Sequence, residues 1–264
     1  MLVLVGCSPA EAAPQGLPLT AALLALAPAE RAVGATELER IAQLVRRARR
    51  AAPQLPARAL LRRVVFEQLG FAREVSDASL RFVYLPSVLR LRRGSCVGLG
   101  SLYLALGERL GWNMRGVIVP GHFFVRIQER GVSYNLELLR GGAELPDSWY
   151  HARYPVPVFA GAAYARPLYA EEVAGVVEYD VGNARMRQGK LLPAQLAYER
   201  ARRLFPDFAE AHASAGSVAQ LLGQLSRAQA AYRAARRANP QLAGVEHNLA
   251  LLEAELAQHT VVSP

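Results

Sequence analysis

Arg92-Arg93-Gly94-Ser95-Cys96-Val97-Gly98-Leu99 is the stretch on which the reading turns. Gly94 breaks whatever precedes it, and Ser95 is a residue type that caps helix N-termini. Apolar residues then recur at helical spacing from Leu102 to Leu110 and stop at Gly111. Cys96 should therefore sit in the first turn of a helix. The N–H groups of a helix start, with Arg92 and Arg93 adjacent, would favour its thiolate, which is what an acyl-transfer nucleophile needs.

Downstream of Gly111 the period changes from helical to extended. Arg115 to Val119 reads as a strand, Pro120-Gly121 as a turn, and His122 to Ile127 as a second strand. Glu129-Arg130-Gly131 then turns the chain into a third strand, Val132 to Leu138. In such a hairpin His122 and Glu137 should lie opposite each other, within side-chain reach. Nucleophile, base and orienting carboxylate can thus converge in the chain order Cys96, His122, Glu137: His122 would take the thiol proton and Glu137 would hold the imidazole tautomer. Upstream, apolar spacing predicts helices from Thr36 to Arg50, from Pro56 to Leu69 and near Leu80 to Leu91.

Three motifs, Arg93-Gly94-Ser95-Cys96-Val97-Gly98-Leu99 with Leu102-Tyr103-Leu104, then Pro120-Gly121-His122-Phe123-Phe124-Val125-Arg126, then Asn135-Leu136-Glu137 with Gly141-Gly142 and Pro146-Asp147-Ser148-Trp149-Tyr150, resemble the bacterial transglutaminase-like superfamily. The resemblance covers about residues 60 to 180. It implies a papain-like acyl-transfer fold, with a cysteine helix packed on an antiparallel sheet that bears a histidine and an acidic residue. The implied roles are Cys96 nucleophile, His122 base and Glu137 orienter. The usual third member in the superfamily is Asp, so Glu137 is a departure, and Asn135 competes with it as a neutral orienter. The Cys96 backbone N–H is one oxyanion donor; Ser87 and Tyr84 are alternatives for a second. His151, which follows Trp149-Tyr150, reads as a structural loop residue, and His212, His247 and His259 as helix surface.

The last third of the chain repeats itself. Gly182, Gly189, Ala194, Tyr198, Ala201 and Pro206 recur 34 residues later as Gly216, Gly223, Ala228, Tyr232, Ala235 and Pro240. That period resembles the tetratricopeptide repeat, a pair of antiparallel helices, and a branch of the superfamily named above carries such repeats. Glycine and alanine suit the close helix crossing, tyrosine the gap between neighbouring units, and proline the end of the second helix. The units fall at about 175–208 and 209–242, with a capping helix from Leu242 to Gln258. Two units and a cap are few for an independent solenoid, so the array should pack against the first domain and serve as an interaction surface or a brace.

The 264 residues, 52% hydrophobic and 20% charged, describe a globular chain of about two domains and exclude a disordered one. No apolar run reaches the roughly 18 residues of a membrane span. Cys7 and Cys96, the only cysteines, can build neither a disulfide scaffold nor a cysteine zinc site, and no metal or cofactor is implied. The net charge of +9 is almost all arginine, with Lys190 the single lysine. Arginines spread over several helices without a recognition motif read as solvated faces, so no nucleic-acid partner is expected.

Leu4-Val5-Gly6-Cys7 resembles the bacterial lipobox, whose cysteine is acylated, and the Ala/Pro-rich stretch from Pro9 to Pro18 reads as a tether. The basic n-region and most of the apolar core of a signal are missing, so residues 1–30 are expected to be a truncated lipoprotein-type signal and tether. Cys7 would then be the lipidation site, anchoring the protein at the periplasmic face of a bacterial membrane; the alternative is an incidental tail on a cytoplasmic protein. The expected organisation is α+β: a transglutaminase-like domain over 31–168, then an all-α repeat array over 169–258. The expected function is cysteine-dependent acyl transfer, hydrolysing an amide in a peptide or peptide-containing polymer through a thioester on Cys96. Peptide or protein substrate and a protein partner on the repeats are the expected partners. The alternative is an inactive domain-plus-repeat scaffold that binds a peptide or protein.

Overall fold

A computed structural model describes residues 18–27, 30–74, 79–157 and 163–261. Cys7, the lipobox and residues 9–17 of the expected tether lie outside the described residues, while Leu23 and Leu24, within the expected 1–30 signal and tether, join the buried core. Helix α1 spans Leu19–Ala25, α2 Arg31–Ala51 and α3 Ala57–Arg62, which continues as a π-helical turn over Arg63–Gln68. A two-residue strand, β1 (Ala72–Arg73), leads to the short helix α4 (Leu85–Leu91) by way of a 3-10 turn at Leu80–Phe82. Strand β2 (Arg93–Gly94) pairs in parallel with β1 and delivers the chain to α5 (Cys96–Leu110).

α5 is the centre of the molecule. Every residue from Val97 to Gly107 is buried, so this helix is apolar all round, as a helix enclosed by others must be. The α2 stripe Leu38, Ile41, Ala42 and Val45 faces it from one side. On the other side lies an antiparallel sheet in the order β3-β4-β5-β6, built from Met114–Val119, His122–Glu129, Val132–Glu137 and Ala143–Leu145. Phe123, Val125 and Ile127 of β4 point to α5, while Phe124 points the other way with Val117 and Val119. There Tyr150 of α6 (Asp147–Arg153) covers them, its ring 3.9 Å from that of Phe124. β6 and α6 have no counterpart in the sequence reading.

Glycines let α5 lie this close. A Cβ on Gly100 would run into the Phe123 ring, and one on Gly98 would overlap the backbone oxygen of Phe82. That oxygen already accepts the Ser95 N–H at 2.8 Å, so it cannot withdraw without releasing the helix start. Gly98→Ala is accordingly expected to destabilise the protein by about 1–3 kcal/mol, read as a lower urea midpoint at unchanged slope.

After α6 the chain runs along the outer edge of β3. The Ala165 N–H donates to the Ile118 carbonyl at 2.8 Å and the Leu168 N–H to the Gly116 carbonyl at 2.9 Å. These bonds set down α7 (Ala170–Arg187) beside α5. The all-α array follows as α7 paired with α8 (Leu191–Leu204), α9 (Ala209–Leu221) paired with α10 (Leu225–Ala238), and α11 (Val245–Val261). Positions 34 residues apart share a geometry. Gly189 and Gly223 both turn at φ +70°, and Phe205 and Asn239, each before a proline, leave the helix at φ −138° and −147°. Tyr198 covers Gly182 and Tyr232 covers Gly216. The tyrosines therefore fill the crossing inside their own pair as well as the space toward the next, where Tyr198 shares a cluster with Ala215 and Val218.

The array is continuous with the first core. Val173 and Val177 of α7, Ala201 of α8, Phe205 and Phe208 belong to the same buried cluster as Leu102, Leu106 and Phe123.

Candidate active site

Ser95 caps α5, its hydroxyl accepting the Gly98 N–H at 3.1 Å, and this fixes Cys96 in the first helical turn. Cys96 is partly buried and forms no disulfide. Arg92 and Arg93, expected to favour the thiolate from beside it, have partners elsewhere. The Arg92 guanidinium donates to the Leu69 carbonyl at 3.0 Å, and Arg93 lies 3.8 Å from Glu74.

His122 opens β4 and Glu137 closes β5, and both are buried. His122 Nε2 lies 2.7 Å from Glu137 Oε2. They are not directly opposed. The register sets Val125 against Leu136, which makes His122 and Glu137 diagonal neighbours on one face of the sheet. Diagonal placement suits the longer reach of Glu. Its second oxygen, Oε1, accepts the Leu139 N–H at 3.1 Å, at the start of the 3-10 turn Leu138–Arg140. The carboxylate is thus held at both oxygens. Because a carboxylate only accepts, Nε2 carries the proton in neutral His122, and Nδ1 has the lone pair.

Asn135 shares that face but is engaged elsewhere. Its Oδ1 accepts from Arg126 Nε at 2.7 Å, and its Nδ2 donates to Asp147 Oδ1 at 2.7 Å and to the Leu145 carbonyl. Arg126 also donates to Asp147 at 2.6 Å. This network ties α6 to the sheet and so places two tyrosines over the histidine. Tyr154 stacks flat on His122, ring centres 5.1 Å apart and planes within 3°. Burial first, then the neighbouring Glu137 and Cys96, push the Tyr154 phenol up, against the pull of Arg153. The Tyr150 hydroxyl is buried beside Glu137 without the alignment of a hydrogen bond; burial, then that carboxylate, push its ionisation up as well. Sequence reading missed Tyr154. The Tyr150-to-Tyr154 spacing of four, which puts both on one helical face, was the available signal.

Cys96 and His122 line one cavity of about 200 Å³. Neither Ser87 nor Tyr84 lines it: the Ser87 hydroxyl donates to Glu30 at 3.1 Å, and Tyr84 sits in the field of Glu178, Arg185 and Arg200. A larger groove of about 720 Å³, between Arg58, Trp112 and Tyr134, touches none of the three site residues. His151 is exposed on α6, a helix where a loop was expected. His212 is half-buried instead of on the helix surface: its Nε2 lies 2.8 Å from the Pro206 carbonyl, and burial lowers its basicity. His247 is exposed, and nothing is described of the His259 side chain. Among the described residues there is no cluster of His, Cys, Asp and Glu able to hold a metal ion.

Residues 34–154 match the family described as the transglutaminase-like superfamily. A transglutaminase-like core domain therefore occupies this span, with the helical array after it. No curated protein matches the chain.

Proposed function

We propose that the protein carries out cysteine-dependent acyl transfer, hydrolysing an amide bond in a peptide or a peptide-containing polymer. The observation that carries this reading is the shared cavity of Cys96 and His122, with His122 bonded to Glu137 behind it. His122 Nδ1 takes the Cys96 proton, and the sulfur attacks the amide carbon. The oxyanion forms at the N-terminus of α5, where the helix dipole favours negative charge. As the tetrahedral adduct collapses, the imidazolium gives its proton to the leaving amine. Water, deprotonated by His122, then attacks the thioester and releases the acid and the thiol. Glu137 keeps the proton on Nε2, so that the Nδ1 lone pair remains available.

The test is the pH dependence of iodoacetamide alkylation, followed on the Cys96 peptide by mass spectrometry. Alkylation should persist well below the ordinary cysteine range, near pH 8.5, and should fall away in His122→Ala. A folded protein whose Cys96 alkylates like a free thiol in both forms would instead describe a binding domain.

Three further parts of this reading rest on sequence pattern. The helix pairs are tetratricopeptide repeats, supported by the 34-residue recurrence of glycine, tyrosine and pre-proline geometry, and they offer a surface for a protein partner. Cys7 is lipid-anchored at the periplasmic face, supported by Leu4-Val5-Gly6-Cys7; palmitate labelling lost in Cys7→Ser is the measurement. Among the described residues no helix is long and apolar enough to cross a membrane.

A further inference from the structure

The cavity shared by Cys96 and His122 has a second wall, and the helical array supplies it. Val176, Tyr179, Asp180, Asn183 and Arg187 of α7 all line it. Their spacing of three, one, three and four residues marks a single helix face. Glu210, at the start of α9, lines it too. Two of these groups are held from behind: the Tyr164 hydroxyl donates to Glu210 Oε2 at 2.6 Å, and the Tyr198 hydroxyl donates to Asn183 Oδ1 at 2.9 Å. Both donors are buried tyrosines of the framework. The wall is thus built by the packing that joins the array to the core.

Its charge runs against that of the molecule. The chain as a whole carries +9, while the groups of this wall are two carboxylates and one guanidinium. Charges that line a cavity act at short range and with little screening, whereas the distributed surface charge is damped over roughly 8–10 Å of salt solution. The two fields therefore make opposite demands on whatever approaches Cys96.

We propose that α7 is the specificity wall of the cysteine site and selects a substrate segment that is polar, uncharged or cationic, and not acidic, next to the scissile carbonyl. The inference rests on the acyl-transfer reading in taking Cys96 as the reacting atom. It gives the array a task beyond bracing or partner binding, because α7 with Phe208 and Glu210 supplies the side of the cavity that the first domain does not. Burial pushes the Glu210 carboxyl up, while the Tyr164 bond pulls it back. The test is therefore placed on the partly buried Asp180 and the exposed Arg187 of the same helix face.

Cys7→Ser leaves Cys96 as the single thiol. Its modification rates with a cationic methanethiosulfonate (the ethyltrimethylammonium) and an anionic one (the ethylsulfonate) are measured in the folded protein and divided by those of the urea-unfolded chain. The normalised cation-to-anion ratio is expected to exceed one despite the net positive charge. Asp180→Asn should lower it about three- to tenfold, and Arg187→Gln should raise it by a similar factor. A ratio below one in the parent protein, with Cys96 still faster than the unfolded thiol, would overturn the specificity wall and leave the cysteine–histidine reading standing. A folded protein in which Cys96 reacts more slowly than the unfolded thiol with both reagents would overturn both. The parent ratio alone decides the sign, so the test survives a variant that fails to fold.

Discussion

Glu137→Gln is expected to slow acylation of Cys96 by about a hundredfold or more while leaving the chain folded. The reason lies in the two bonds that Glu137 makes at once. Oε2 faces His122 Nε2 at 2.7 Å, and Oε1 accepts the Leu139 N–H at 3.1 Å. A glutamine has one oxygen and one NH2 to place. If the oxygen serves Leu139, the NH2 meets His122 Nε2, pushes the ring proton to Nδ1 and removes the lone pair that should deprotonate Cys96. If the amide turns the other way, two donors face each other at Leu139 in a buried site, which costs about 1–3 kcal/mol. The first arrangement satisfies every donor, so it should prevail. Single-turnover release of nitrophenolate from p-nitrophenyl acetate, with the acyl group located on Cys96 by mass spectrometry, measures the effect. A rate within threefold of wild type would remove Glu137 from the mechanism.

Phe205→Ala should cost about 3–5 kcal/mol, a large part of the 5–15 kcal/mol that holds a typical domain together. Phe205 is fully buried where array and core meet, its ring 5.3 Å from that of Phe208, with the Arg166 guanidinium over its face. Both tryptophans, Trp112 and Trp149, lie before the array, so their fluorescence reports the first part of the molecule. Far-ultraviolet dichroism reports the helices of both. A shared core requires the two signals to fall together in urea, at a lower midpoint than wild type. Tryptophan fluorescence that kept its wild-type midpoint while dichroism shifted would show the array melting by itself.

Much of this arrangement is legible in the residues, and the limits are physical. The Gly94-Ser95 start and Gly111 stop of α5, and the two turns that follow, are local signals, and the helix and hairpin stand where those signals put them. Asn135 and Glu137 were harder to separate because residues two apart on a strand share a face. What distinguishes them is the end of β5: the chain curls into a 3-10 turn at Leu138, and the side chain just before it is needed as a cap. The register differs from the one the turn suggests, since the pairing of β4 with β5 from Glu129 and Val132 to Val125 and Leu136 leaves His122 beyond the last paired residue. The α7 wall was illegible. Val176, Tyr179, Asp180, Asn183 and Arg187 read locally as half of a repeat, and it takes the long-range docking of α7 on the first core, with the bonds from Ala165 and Leu168 to β3, to turn that face toward Cys96.

Those same two bonds decide whether another chain can pair with the sheet. An open β-strand edge is a template for another chain, and many peptide-binding domains use it by accepting a guest strand. Here the outer side of β3 is already taken by the molecule's own backbone, through Ala165, Leu168 and the bridge between Val117 and Pro167. The opposite rim is β6, three residues long and followed by Pro146. A guest chain therefore finds no long ladder on either side. It has to be gripped by side chains and helix ends, one segment at a time, and the same closure protects the sheet against edge-to-edge aggregation.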